Sequence, residues 1–234
     1  MTRRHVRAPS PSAGRVFGSS AGIIYLVFIG LPLAALVFSA VRQGNILGSL
    51  SSDFAVTALK LSLITSAISM IVVVLLGTPF AYLLARSRST LLRVVDSLIE
   101  LPIVLPPVVA GVAMLMAFGR QGVIGPFLEN LGIALPFTAA AVVFAQVFVA
   151  APFYIRASRI GFQGVATEYE DISQTLGLSP LRSFFRLTLP LAGPSILAGL
   201  GLAWTRAFSE FGATMMFAGN LTGKTQTMPL AIMT

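Results

Sequence analysis

The chain has 234 residues, of which 56% are hydrophobic and 10% are charged, and its mean hydropathy is +0.88. Soluble domains carry about 25% charged residues, so this composition excludes an ordinary soluble domain and indicates a polytopic membrane protein. The formal charge of +8 does not indicate nucleic-acid binding, because the arginines separate apolar segments instead of forming one face. With no cysteine and a single histidine, His5, neither a metal site nor histidine-based catalysis is expected.

Five complete membrane spans are predicted along the chain, followed by the start of a sixth. Residues 1–16 are basic and rich in Pro and Ser, which predicts a disordered cytoplasmic tail before a membrane domain at 17–234. A helix needs about 20 apolar residues to cross a bilayer. The predicted spans lie at about 17–41, 54–85, 100–118, 137–155 and 191–217. The seven residues from Met228 begin a sixth apolar segment and stop, so we expect a sequence truncated in its last helix. The predicted fold class is an all-α transmembrane bundle.

The third predicted span opens with three prolines within six residues. Each proline removes a backbone donor, and Pro106 and Pro107 cannot lie in a regular helix without distortion. Irregular backbone at membrane depth is tolerated where it is buried in protein or lines an aqueous path. These two prolines are therefore either part of a translocation path or the kink of a packing helix.

A long polar segment between the fourth and fifth spans carries signals for two short helices. Thr167 and Glu170 form the T-x-x-E pattern of a capping box, which predicts a helix start. Gly177 supplies a left-handed residue that ends this helix. Ser179 is predicted to cap a second helix, with Pro180 at its first position. The segment therefore predicts two helices joined by a tight corner.

Residues 167–190, called the elbow below, present an apolar face on each predicted helix. The faces comprise Tyr169, Ile172 and Leu176 on the first helix and Leu181, Phe184 and Phe185 on the second. Arg182 and Arg186 lie beside the second face. An exposed apolar face needs a partner, which is either the protein's own membrane helices or a groove on another protein.

The basic residues predict the orientation of the chain in the membrane. Eleven of the sixteen Lys and Arg residues fall in the tail, after the second span or around the elbow, and three fall in the opposite loops. By the positive-inside rule, this bias places the N-terminus and the elbow in the cytoplasm. The chain has no Walker motif or glycine-rich phosphate loop, so it is not expected to hydrolyse ATP.

The fifth predicted span contains Arg206 and Glu210, four positions apart in an apolar helix. At that spacing two side chains can face each other. A central arginine costs at least about 2.5–3.5 kcal/mol in a membrane, so it is expected to be paired and to face protein or water. The pair is either a structural lock or part of an anion path in which Glu210 holds Arg206 until a gate opens. The polar loop at 220–227, with Lys224, either helps to receive the anion or is a solvated turn.

The elbow resembles the EAA loop of ABC-importer permeases, which runs Glu-Ala-Ala, then Gly, then an apolar residue before Leu-Pro. The matching residues are Glu170, Gly177, Leu187, Leu189 and Pro190. Ile172 and Ser173 replace the two alanines. In that family the loop docks in a groove of the ATPase subunit. The resemblance therefore implies an ATPase-docking role for Glu170, Asp171, Gly177, Ser179, Pro180, Arg182, Phe184, Leu189 and Pro190.

The stretch from Arg206 to Leu230 resembles molybdate-type permeases, with Glu-Phe-Gly-Ala-Thr, Phe-Ala-Gly-Asn and Thr-x-Thr-x-Pro-Leu in order. Ser209 stands where that pattern has glycine. Sulfate-type permeases share most of the pattern, so molybdate, tungstate and sulfate all stay open. The resemblance implies a path that includes Pro106, Pro107, Arg206, Glu210, Thr214 and Lys224.

The same resemblance implies the partners of the chain. We expect a homodimer of permeases in the cell membrane of a prokaryote, within the lipid bilayer, and no nucleic acid. Two cytoplasmic ABC ATPases would use ATP and Mg, and an extracytoplasmic oxyanion-binding protein would deliver the anion. The permease itself would bind no cofactor and catalyse no reaction. The alternatives are an ion-coupled secondary transporter, for which only Glu210 is a clear coupling acid, and a non-functional truncated subunit.

Overall fold

The computed structural model describes residues 11–44 and 52–233, and every regular element in these ranges is helical. The chain divides into two units, at 1–52 and 53–234. The first unit contains helix α1, Pro11–Gln43. Its apolar part, Gly18–Arg42, is exposed along its length and long enough to cross a membrane, as predicted. Helix α1 begins within the predicted tail, and residues 1–10 of that tail lie outside the described residues.

The second unit contains eleven α-helices and one π-helical turn within residues 52–233. Its first half consists of α2 (Asp53–Arg86), α3 (Thr90–Ile99), α4 (Leu101–Val104), α5 (Pro107–Phe118), α6 (Gly125–Asn130) and α7 (Ala139–Gly164). Its second half consists of α8 (Thr167–Thr175), α9 (Pro180–Ser183), the π-helical turn Phe184–Thr188, α10 (Leu189–Phe208), α11 (Gly212–Phe217) and α12 (Met228–Ala231).

Four helical stretches of the described chain are long and apolar enough to cross a membrane. They are Gly18–Arg42, Asp53–Arg86, Ala139–Gly164 and Pro180–Phe208. The third predicted span, 100–118, is not one long helix, and the distortion expected at Pro106 and Pro107 is where the chain breaks between α4 and α5. Pro106 is extended, with φ −55° and ψ 134°, and cannot donate a helical hydrogen bond. The twelve residues of α5 rise only about 18 Å, whereas the hydrocarbon core is about 30 Å thick.

Helix α7 lies between two apolar cores. One core joins α7 to α2 and α10 around Tyr154 and Phe162, and the other joins it to α5 and α11 around Phe217. Gly199 permits close approach of α10, because an added Cβ would lie 2.7 Å from the Cβ of Ala157. Gly201, two positions later, faces open space instead.

A buried row of hydroxyl groups on α2 joins it to three other helices. The row comprises Ser62, Thr65, Ser66 and Ser69. Ser62 Oγ accepts a hydrogen bond from the N–H of Met228 at 2.7 Å, which fixes the start of α12. Ser66 Oγ accepts from Trp204 Nε1 at 3.1 Å, and Ser69 Oγ donates to Gln146 Oε1 at 2.9 Å. Hydrogen bonds of this kind hold helices together where lipid provides no hydrophobic force between them.

Candidate functional site: the elbow and the paired helix breaks

The first elbow helix starts as predicted but without a capping box. Thr167 is the first helical residue, and the preceding Ala166 caps it with no side-chain hydrogen bond. The predicted capping role of Glu170 is wrong, because its carboxylate bonds to side chains of other segments. A long-range ion pair gives this carboxylate stronger partners than the local backbone N–H would.

The corner of the elbow forms as predicted. Gly177 has φ +91°, in the left-handed region that favours glycine. Its N–H donates to the carbonyl of Gln174 at 3.0 Å, and that of Leu178 donates to the carbonyl of Ser173 at 3.1 Å. This pair of bonds is a Schellman motif. Ser179 Oγ accepts from the N–H of Arg182 at 3.4 Å, with Pro180 at the first helical position.

The two elbow helices are joined to each other inside the corner. Ser173 and Ser183 are both buried, and their hydroxyl oxygens lie 2.5 Å apart. After α9 the chain continues through the π-helical turn directly into α10. The second elbow helix and the last long span are therefore one continuous helical stretch.

The carboxylate of Glu170 is the centre of a network at the inner end of α2. Its Oε1 accepts from Arg86 Nη2 at 2.5 Å and from Thr188 Oγ1 at 2.9 Å, and its Oε2 accepts from Tyr82 Oη at 2.8 Å. Arg86 Nη1 also donates to the carbonyl of Val165 at 3.0 Å. The side chains of Glu170 and Arg86 are only 12% and 18% exposed. The network therefore joins α2, α8 and the π-helical turn.

Aromatic rings surround this network on one side. The ring of Tyr82 makes edge contacts with Phe162 and Phe184, with centroids 5.5 and 4.9 Å apart. Burial alone would raise the pKa of Glu170, but the hydrogen bonds from Arg86, Tyr82 and Thr188 outweigh it and hold the pKa below its usual value. Glu170 is therefore ionised at neutral pH.

The elbow leaves an exposed apolar surface, which we call the elbow surface. It consists of Tyr169, Ile172, Leu176, Leu181 and Phe185. Phe184 was expected on this face, but it is half-buried and packs against Tyr82 and Phe162. Leu189 is half-buried and Pro190 is exposed at the start of α10. Asp171 and Arg182 are exposed, and no ion pair within residues 11–44 and 52–233 involves either.

Arg206 and Glu210 form the predicted ion pair, with Arg206 Nη1 2.5 Å from Glu210 Oε2. The expectation of one continuous helix at 191–217 is wrong, because α10 ends at Phe208 and α11 begins at Gly212. Glu210 lies in this break, and its Oε1 accepts from the N–H of Ala213 at 2.7 Å. The side chain of Glu210 is fully buried, while that of Arg206 is 26% exposed.

The break before α11 packs against the break before α5. An added Cβ on Gly212 would lie 2.7 Å from the Cβ of Pro107, and one on Gly111 would lie 2.7 Å from that of Met216. The structure therefore brings Pro107 to the segment that carries Arg206 and Glu210. Thr214 is buried in α11, and its Oγ1 has no hydrogen-bond partner within the described residues.

Lys224 lies elsewhere, in the turn that follows α11. Thr225 Oγ1 accepts from the N–H of Leu221 at 3.0 Å and donates to the carbonyl of Gly219 at 3.1 Å, which closes the turn. Lys224 is exposed in this turn. Its side chain is placed to meet solvent or another protein.

An apolar cavity of about 920 Å³ opens between α2, the second elbow helix and α10. Its polar groups are the side chains of Thr78, Tyr82 and Tyr154, and its lining within the described chain includes no charged residue. A desolvated anion needs cationic or multiple donor groups to replace its hydration. This cavity is therefore not a binding site for an anion, although it opens beside the elbow.

The partners of Glu170 are the functional residues that the sequence did not predict. Tyr82 and Arg86 lie more than eighty positions away along the chain, and Thr188 lies inside the elbow without a motif of its own. One signal was present: Arg86 ends a long span, and Tyr82 lies one turn before it on the same face. That signal predicts a cation near the membrane surface, but it does not indicate which acidic residue pairs with it.

Comparison with known proteins identifies the family. Residues 77–233 match the family described as binding-protein-dependent transport system inner membrane component. A relative from Mycobacterium tuberculosis, named molybdenum transport system permease protein ModB, is 44% identical over 207 residues, which cover 88% of this chain and 78% of the relative. A probable transport system permease protein NifC from Clostridium pasteurianum is 40% identical, with 90% and 74% covered. A sulfate transport system permease protein CysW from Synechococcus elongatus is 34% identical, with 89% and 75% covered.

These matches exclude the alternative of an ion-coupled secondary transporter. They extend over α2, both helix breaks, the elbow and α10. A component of this family transports and does not catalyse. The chain belongs to the binding-protein-dependent transport system inner membrane components and is a multi-pass permease of an ABC transporter.

Proposed function

We propose that this permease imports molybdate, or the similar anion tungstate, into the cytoplasm. The observation that carries the proposal is the partly exposed Arg206 beside a fully buried Glu210 at a break between membrane helices. Several relatives are named for molybdenum transport, at 34–44% identity. The second candidate is sulfate, which a relative at 34% identity supports.

The paired breaks suit the passage of a tetrahedral oxyanion. Arginine offers several donors in a planar fork that matches oxyanion geometry, and it stays charged at every physiological pH. Glu210 holds Arg206 in the closed state and is itself fixed by the N–H of Ala213. In a homodimer with two-fold symmetry, two such arginines would face a shared axis. Pro106, Pro107 and Thr214 complete the same stretch of the path, and Lys224 would act at its entrance.

The elbow surface is the proposed docking site for the ATPase. It combines exposed apolar side chains with the exposed charges of Asp171 and Arg182. An amphipathic helical element of this kind fits a groove on a partner. The arginine distribution supports a cytoplasmic N-terminus and elbow, where ATP is available. The remaining partners are a second permease and an extracytoplasmic binding protein.

Transport would follow from a switch between two states of the permease. Binding of ATP and Mg to the ATPase subunits closes them, and the elbow carries that movement into the membrane helices. The path then changes from inward-facing to outward-facing, and the binding protein releases its anion. The energy enters through the partner, so this chain needs no catalytic residue.

The test is ATP hydrolysis by the reconstituted complex, with its cognate ATPase and binding protein, against molybdate, tungstate and sulfate. We expect stimulation by molybdate and tungstate and none by sulfate. Stimulation by sulfate alone would replace the anion and leave the transport mechanism in place. If no ATPase co-purified with the permease, the docking assignment would be wrong.

A further inference from the structure

The carboxylate of Glu170 is fully engaged inside the protein. Both of its oxygens accept hydrogen bonds, and the donors come from α2 and from the π-helical turn. The neighbouring Asp171 is exposed and takes part in no ion pair within the described residues. The two adjacent acids therefore have different roles. Asp171 can reach a partner protein, whereas Glu170 cannot do so without breaking its own network.

We propose that Glu170 is a positioning residue that latches the elbow to the inner end of α2, so that both move as one body. The inference rests on the proposed docking of the ATPase at the elbow. A force applied to the elbow surface then reaches α2 through Arg86 and Tyr82. Without the latch, the elbow would still bind the ATPase, but its movement would pass to α7 and α10, which adjoin it in the chain, without the ion pair to α2.

The surroundings of the latch make it stiff. The ion pair between Arg86 and Glu170 lies beside the aromatic rings of Tyr82, Phe162 and Phe184, where few water molecules compete for the carboxylate. Charge-assisted hydrogen bonds are shorter and stronger than neutral ones, and a surrounding of low polarity strengthens them further. The guanidinium of Arg86 also donates to the carbonyl of Val165, where α7 ends. The latch thus fixes the start and the first turn of the first elbow helix relative to α2.

Thr188 extends the latch to the following span. It is fully buried at the end of the π-helical turn and donates to Glu170 at 2.9 Å. A π-helical turn inserts an extra residue into a helix, and such turns are frequent at functional sites. Here it aims the hydroxyl of Thr188 at the carboxylate while α10 continues into the membrane. One carboxylate therefore couples the elbow to two membrane helices.

Spin labels can measure the latch directly, because the chain contains no cysteine. The pair L83C and Q174C places one label on the exposed face of α2 and one on the exposed face of α8. Pulsed electron resonance then gives the distribution of distances between them, with and without ATP. The complex is tested with E170Q, T188V and R86Q/E170Q, and the matched control is E168Q, which changes an exposed carboxylate in the same helical turn.

We expect a narrow distribution that ATP does not change in the parent protein and in E168Q. In E170Q it should broaden by several ångströms, while ATPase subunits stay bound and anion uptake per ATP falls about tenfold. T188V, which keeps the ion pair, should lie between the two. R86Q/E170Q removes both buried charges, so the complex should be purified in the same yield as the parent protein. Its anion uptake per ATP should stay as low as that of E170Q.

Three outcomes would overturn the latch. One is an unchanged distribution in E170Q, and another is full coupling in R86Q/E170Q, which would make the pair merely structural. The third is loss of ATPase binding in E170Q but not in E168Q, which would make Glu170 a docking residue. The distances between the spin labels, measured in the permease without the ATPase, test this inference separately from the proposed function. If the parent protein bound no ATPase, the docking proposal would fail, and broadening in E170Q would still support the latch.

Discussion

Gly212 packs against Pro107 so closely that no side chain fits between them. An added Cβ on Gly212 would lie 2.7 Å from the Cβ of Pro107 and 3.1 Å from the backbone nitrogen of Val108. Each of the two residues opens a short apolar helix after a break in the chain. The two breaks are therefore packed directly against each other, two residues after Glu210.

We expect G212A to destabilise the permease. Forcing a methyl group into a packed contact typically costs about 1–3 kcal/mol, and here the neighbour is the ring and backbone of Pro107. The matched control is G201A, since a Cβ at Gly201 meets open space. Thermal unfolding of the two purified variants is the measurement. Equal unfolding temperatures would contradict the close packing of the breaks.

Replacement of Arg206 by glutamine should remove anion transport and leave the ATPase bound. A hydrogen bond to a charged group contributes about 1.5–3 kcal/mol, so we expect anion uptake to fall about tenfold or more. R206K keeps the charge but loses the planar fork, and it should retain part of the uptake. Uptake into proteoliposomes and co-purification of the ATPase are measured together. Normal uptake by R206Q would show that the pair with Glu210 is only structural.

The stability of the permease should fall in acid in a way that depends on Glu170. Its pKa is held below the usual 4.5, so it contributes stability above that value and loses it as pH falls through the lowered pKa. Unfolding temperatures measured from pH 7 to pH 3 should therefore drop more steeply in the parent protein than in E170Q. D171N, which changes an exposed carboxylate one position away, should follow the parent protein. Parallel curves for E170Q and the parent protein would contradict the assignment.

Substitution of Gly177 should disturb coupling without preventing membrane insertion. Its φ of +91° disfavours a side chain, at a cost of roughly 1–2 kcal/mol, although a Cβ there would meet no neighbour. We expect G177V to lower anion uptake per ATP and G177N to retain more, since Asn tolerates the left-handed region. G164A, at another position with open space, is the control. Normal uptake by G177V would count against the docking role of the elbow.

Local signals predicted the elbow corner because its causes lie within a few residues. Gly177, Ser179 and Pro180 each act on the backbone next to them, and all three have the predicted roles. The arginine-rich segments and the apolar spans could be predicted equally well, because the composition of a segment alone decides whether its helix can enter lipid. Four of the five predicted complete spans therefore correspond to long helices of the structure.

Long-range partners explain what could not be predicted. The pattern from Thr167 to Glu170 is that of a capping box, yet Arg86, 84 positions away, competes successfully for the same carboxylate. Pro106 and Pro107 predicted a distortion. They did not predict that the third span would be shortened to a helix of twelve residues. The break at Glu210 had no proline to mark it, and the segment it packs against, at Pro107, is distant along the chain.

The network around Glu170 limits which segments can be exchanged between two permeases. An elbow grafted from another permease would bring its own acid and its own corner, but not Tyr82 and Arg86, which belong to α2. Where that acid does not reach Arg86 as Glu170 does, Arg86 would be left buried without its counter-ion. The elbow therefore cannot be exchanged by itself to recruit a different ATPase. The smallest unit that can be transplanted includes the last turn of α2 and the π-helical turn, and a change of ATPase partner is better sought on the elbow surface alone.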